Sequence, residues 1–87
     1  MKITVRAFGT LLLALNRTFD IELADQATIQ ELLQLLNSQN PSVLSPLLWD
    51  STLTLLINGR NIHSLQGMNT ILRNDDIVTL IPFVVGG

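Results

Sequence analysis

The sequence predicts an α+β domain in which one main helix crosses one face of a mixed sheet of four to five strands. Three observations carry this expectation. Two stretches near the N-terminus alternate apolar and polar residues with period two. A capped stretch with helical periodicity follows. Later, an Asn-Gly turn joins β-rich stretches and leads to a final apolar run closed by Pro82.

Taken in order, Ile3, Val5 and Ala7 alternate with Lys2, Thr4 and Arg6, so a first strand with one buried face is expected over Lys2–Phe8. After Gly9 and a leucine-rich connection, Phe19, Ile21 and Leu23 alternate with Thr18, Asp20 and Glu22, giving a second strand and a hairpin with the first. Thr28-Ile29-Gln30-Glu31 matches a capping box. In that motif the threonine hydroxyl and the glutamate carboxylate each satisfy a backbone N–H left free at a helix start. Ile29, Leu32, Leu33 and Leu36 then recur at helical spacing as a core-facing stripe, with Gln30, Gln34 and Asn37 opposite. Asn40-Pro41 should close the helix, because proline disfavours helical geometry in the residue before it. Residues 42–51 read as an irregular connection with apolar anchors.

Thr52–Ile57 is rich in β-formers, and Asn58-Gly59 is a strong two-residue hairpin signal, since both central positions of a type I′ turn need positive φ. A short fourth strand over Arg60–His63 and a loop or helical turn over Gly67–Asn74 should follow. Ile77–Ile81 is nearly continuous in apolar residues, as in a central strand covered on both faces. Its pairing beside the first strand, in parallel, is permitted by this order.

Composition narrows the function. Eighty-seven residues allow one compact core, and 47% apolar with 14% charged residues is the balance of a packed domain. The absence of cysteine removes disulfides, thiol nucleophiles and cysteine-ligated zinc. A net charge of -2 without basic runs gives nothing that attracts nucleic acid. Leu11–Leu15 is far short of the roughly 18 to 20 apolar residues that cross a bilayer and lacks the flanks of a signal peptide. A cytoplasmic protein with no membrane partner is expected.

Catalytic candidates are sparse. His63 is the sole histidine and has no acid near it in sequence, so it reads as a strand-end residue with no metal site around it. Asp75-Asp76 reads as turn chemistry before a strand, and no glycine spacing forms a phosphate cradle. What stands out is the end of the chain, Pro82-Phe83-Val84-Val85-Gly86-Gly87. Two residues without side chains can thread a narrow channel and carry a carboxylate into a partner's active site. A domain over residues 1–82 with a flexible tail over residues 83–87 is therefore expected.

The N-terminal hairpin, the capped helix, Ile57-Asn58-Gly59, Asn74-Asp75-Asp76-Ile77-Val78 and the Leu80-Ile81-Pro82 to Gly86-Gly87 tail, taken together and in this order, resemble the MoaD/ThiS family of ubiquitin-like β-grasp proteins. Val5-Arg6-Ala7-Phe8-Gly9-Thr10-Leu11 is similar to that family's first strand and following loop. The resemblance implies a carrier without an active site of its own. A ubiquitin-activating-type adenylating enzyme (MoeB/ThiF-like) would activate Gly87 with ATP, and a sulfur donor would convert it to a thiocarboxylate. No stably bound cofactor is implied. In the molybdopterin-synthase type, most similar in length because of the Gln39–Ser51 connection, the tail inserts into a large MoaE-like subunit. There Gly86, Val85 and Val84 would thread the active site, while Phe83, Pro82, Ile81 and Ile62 fall at the candidate partner interface. A ThiS-like carrier for thiazole synthesis, or a ubiquitin-related modifier conjugated through Gly87, are the alternatives. The chain departs from the molybdopterin type at Phe83, where a second proline is common, and at Leu12 and Leu13, where a polar residue is common.

Overall fold

The structure, a computed structural model, describes residues 1–8, 18–39, 41–42 and 53–82. Its strands are β1 (Lys2–Ala7), β2 (Thr18–Glu22), β3 (Leu53–Ile57), β4 (Arg60–Asn61) and β5 (Ile77–Pro82), with the helix α1 (Ile29–Gln39) between β2 and β3. They form one mixed five-stranded sheet in the order β2-β1-β5-β3-β4. β1 and β5 pair in parallel at its centre, with Val5 opposite Val78 and Ala7 opposite Leu80, and every other pairing is antiparallel. This is the mixed sheet and single helix of a ubiquitin-like β-grasp.

The period-two pattern of β1 determines its faces. Ile3, Val5 and Ala7 are buried and meet Val78 and Leu80 of β5, Leu55 and Ile57 of β3, and the α1 stripe of Ile29, Leu32, Leu33 and Leu36. Phe19 and Ile21 of β2 pack against the edge of this core. The capping box forms as expected: the Glu31 N–H donates to Thr28 Oγ1 at 3.3 Å and the Thr28 N–H donates to Glu31 Oε1 at 3.4 Å. The helix start is also clipped to the segment before β5. The Ile29 N–H donates to the Thr70 carbonyl at 3.0 Å, and the Leu72 N–H donates to the Ala27 carbonyl at 2.8 Å. Leu72 thereby enters the core, 1% exposed.

The type I′ turn is present, with φ of 51° at Asn58 and 84° at Gly59. A side chain at Gly59 would meet no steric neighbour, so the positive φ alone explains glycine there. β4 stops two residues earlier than expected. The side chain of Asn61 accepts the His63 N–H at 2.9 Å and starts a 3-10 turn over Ile62–Ser64, which takes the chain out of the ladder. β5 runs one residue further than expected, because Pro82 still sits opposite Leu53 at a position that asks no N–H of it. α1 is described as far as Gln39, and Pro41 and Ser42 have helical backbone. The connection over residues 43–52 and the tail over residues 83–87 lie outside the described residues.

Leu36 is fully buried against the sheet, so Leu36→Ala should lower unfolding free energy by about 2–5 kcal/mol through lost transfer energy and a residual cavity. Gln34, exposed on the same helix, should tolerate alanine within about 0.5 kcal/mol. Urea denaturation followed by circular dichroism measures both.

Candidate functional site

β5 is apolar on both faces, yet α1 covers only one of them. On the other, β5 presents Ile77, Thr79 and Ile81, flanked by Arg6 and Phe8 from the β1 side and by Leu56 and the Asn58-Gly59 turn from the β3 side. Together they line a shallow, solvent-open depression of about 520 Å³. The central rung is fixed by register: Arg6 stands opposite Thr79, and Thr79 opposite Leu56. Flanked in this way, Thr79 is only 8% exposed, whereas Phe8 and Ile77 remain 41% and 38% exposed. Among the described residues nothing covers these apolar groups. Contiguous exposed apolar surface of this kind marks an interaction site.

Arg6 is the cation that lines the depression. Its guanidinium carbon lies 5.5 Å from the centroid of the Phe8 ring, a cation–π contact. Toward the β2 edge the same face turns polar, with Thr4 donating to Asp20 at 2.8 Å. At the start of β5, Lys2 and Asp75 form an exposed ion pair at 3.5 Å.

The lower rim is braced by side-chain hydrogen bonds. Asn58 Nδ2 donates to Asp76 Oδ1 at 2.9 Å, the Ile77 N–H donates to Asn58 Oδ1 at 2.9 Å, and the Arg73 N–H donates to Asp76 Oδ2 at 2.8 Å. The Lys2 N–H donates to Asn74 Oδ1 and the Asp75 N–H to the Lys2 carbonyl, each at 2.7 Å. Asp75 and Asp76 therefore do turn work that aligns β5 with β1 and β3. Among the described residues no group of three or more His, Asp or Glu side chains is placed to hold a metal ion. No described helix is long and apolar enough to cross a membrane.

Of the residues singled out from sequence, Ile81 lines the depression and Pro82 ends β5 beside it, both half-buried. Ile62 does not belong to this surface. It is 4% exposed within the core, because Arg60 pairs with Ile57 and Asn61 with Leu56, which puts the parity of Ile62 on the side of Leu55 and Ile57 that α1 covers. Phe83, Val84, Val85, Gly86 and Gly87 lie outside the described residues; their covalent root is Pro82, at the rim of the depression. Sequence reading had not assigned Arg6, Phe8, Leu56, Ile77 or Thr79 to a site. A signal for them existed, since a strand apolar at both parities asks for a cover on both faces and one helix supplies one.

Residues 5–87 match the model of the ThiS family. The chain belongs to the ThiS family. A candidate sulfur carrier protein of Archaeoglobus fulgidus is 30% identical to this ThiS-family chain over 74 residues, covering 78% of it and 84% of the relative. Among solved structures, the HVO 2177 protein of Haloferax volcanii aligns at TM-score 0.85 and 28% identity, over 100% of this chain and 87% of that one. SAMP1 of the same organism aligns at TM-score 0.80 and 22% identity over 100% of both chains, a likeness of fold. A complex of subunits 1 and 2 of the molybdopterin-converting factor from Helicobacter pylori matches at TM-score 0.67 and 25% identity, again over 100% of both chains. This ThiS-family protein is thus a small ubiquitin-like β-grasp protein, and a candidate sulfur carrier stands among its relatives.

Asn58→Ala removes both side-chain hydrogen bonds that brace β5 and places alanine at positive φ. It should cost about 1–3 kcal/mol, read as a lower urea midpoint. Asn58→Asp keeps the acceptor for the Ile77 N–H but sets a second carboxylate against Asp76, so it should recover less than half of that loss.

Proposed function

We propose that this chain is the carrier and cosubstrate of a sulfur-transfer complex, working through the carboxylate of Gly87, and that its acceptor pathway is molybdopterin synthesis, where it serves as the small subunit of the synthase. The observation that carries the reading is the position of Pro82. The central strand ends at the rim of an uncovered apolar face, so a partner seated on that face finds the start of residues 83–87 beside it. Five extended residues reach at most about 18 Å, and the two terminal glycines present no side chain to a narrow channel. The family match runs to Gly87.

The chemistry is divided between chains. A carboxylate oxygen of Gly87 attacks the α-phosphorus of ATP in the adenylating enzyme, pyrophosphate leaves, and an acyl-adenylate forms. Sulfide sulfur from the donor then attacks the carbonyl carbon, the bond to AMP breaks, and AMP departs with the electron pair. The product is a thiocarboxylate, a stronger nucleophile at neutral pH than the carboxylate it replaces. A large MoaE-like subunit would next accept the tail and catalyse sulfur transfer to the pterin precursor. The carrier contributes no acid, base or cofactor; ATP belongs to the adenylating enzyme. Thiazole synthesis shares the activation steps and differs in the partner and the acceptor that follow them.

Incubation with the adenylating enzyme, ATP and a sulfur donor should release pyrophosphate and raise the intact mass by about 16 Da as sulfur replaces oxygen. Deletion of Gly87 should abolish both. An unchanged mass with a competent enzyme sinks the reading, and isopeptide adducts at the lysines of other proteins would instead support a protein modifier conjugated through Gly87.

A further inference from the structure

Arg6 does not fit an apolar docking face unless something on the other side answers it. It occupies the middle rung of the depression, between Thr79 in register and the exposed ring of Phe8. Ile77, Ile81 and Leu56 line the same hollow. Among the described residues no carboxylate lies within ion-pair distance of it, although Lys2 and the terminal amine of Met1 both have acidic partners. In the free protein water solvates the guanidinium. A partner that covers Phe8 and Ile81 strips that water away. Arginine has no neutral form to retreat to, and a buried unpaired charge opposes docking far more strongly than one aromatic face can offset.

From this we infer that the adenylating enzyme recognises the sheet face through a carboxylate that pairs with Arg6, set among apolar side chains that cover Phe8, Ile77, Ile81 and Leu56. The inference rests on the proposed function: the enzyme that activates Gly87 must hold it within about 18 Å of Pro82, which sets that enzyme against this face. It adds the identity of the polar contact, a charge-assisted and bidentate arginine–carboxylate pair, and it makes Arg6 the specificity determinant of the surface. An apolar partner lacking the acid is rejected, because it leaves the guanidinium dry and unpaired. A partner with lysine or arginine at that place is rejected by like charge. Arg6 touches none of the reacting atoms, so its effect is on affinity for the carrier and not on turnover.

The test is pyrophosphate release by the adenylating enzyme, with ATP saturating and the full-length carrier varied. Arg6→Glu should raise KM for the carrier about 30-fold or more while kcat stays within about twofold. Arg6→Lys should fall between that variant and the wild type, because it keeps the charge and loses the fork. Raising the salt concentration should weaken wild-type binding more than that of Arg6→Ala. Ile81→Asp is the control for the face itself and should also raise KM. Because Arg6 is exposed, thermal melts of its variants should overlay the wild type. If Ile81→Asp raises KM and Arg6→Glu does not, the carboxylate partner is refuted and the docking face stands. If neither changes KM while pyrophosphate is released, the docking face is refuted as well. Sedimentation showing a dimer of the carrier that Arg6→Glu dissociates would assign the face to a second copy and overturn the proposal.

Discussion

The last described strand pairs in parallel with the first, and a parallel pair cannot be joined by a tight turn. The chain leaves β1, builds β2, α1, β3 and β4, and returns to lay β5 between β1 and β3. Closing so long a loop costs entropy before any contact rewards it. The return comes from Val78 and Leu80, which complete the core between α1 and the flanking strands. It is secured at the start of β5, where Asn58 and Asn74 tie the incoming chain to the β3 turn and to Lys2. Without this pairing there is no continuous sheet for α1 to cover and no fixed point from which the tail departs.

One consequence is an asymmetry between the two faces of a strand that is apolar on both. Toward α1 the side chains are sealed. On the other face Ile77 and Phe8 stay in water, a condition that favours association in any small domain. Arg6 moderates it. A hydrated guanidinium laid over the Phe8 ring at 5.5 Å interrupts the apolar surface while the protein is alone. The same charge makes covering that surface conditional on a matching acid. Solubility of the free carrier and selectivity for its partner are then two effects of one side chain.

Much of this was legible in the chain. Alternation gave β1 and β2, the Thr28–Glu31 spacing gave the helix start, and Asn58-Gly59 gave the turn, because each of these rests on local geometry that neighbouring residues decide. The face of Ile62 depends on register. Arg60 pairs with Ile57, so Ile62 takes the core side with Leu55, and a slip of one residue in that register would move it to the open face. From sequence Pro82 closes the last strand. In place it pairs with Leu53, since the register asks no donor of it there. The uncovered face was encoded as well, in the apolar Ile77 and Ile81 of a strand whose opposite parity also packs. Seeing it requires knowing that α1 covers one face of the sheet and leaves the other, which is a property of the topology and of no single window.

The division between face and tail also bears on why one fold serves both sulfur transfer and protein modification. A terminal glycine carboxylate activated by adenylation is attacked equally well by sulfur or by an amine, so the end of the chain carries little information about the acceptor. The tail's reach of about 18 Å means that the acceptor's site must lie close to whichever surface binds the sheet. On the proposed reading, selection among acceptors is made where partners touch the sheet, at Arg6, Phe8, Leu56 and Ile81, before any bond to Gly87 changes. Proteins can share this fold while differing in what they deliver, provided that this patch differs. In this chain the patch is an arginine set in an apolar ring, and the partners that can use the tail are those whose own surface is shaped to that combination.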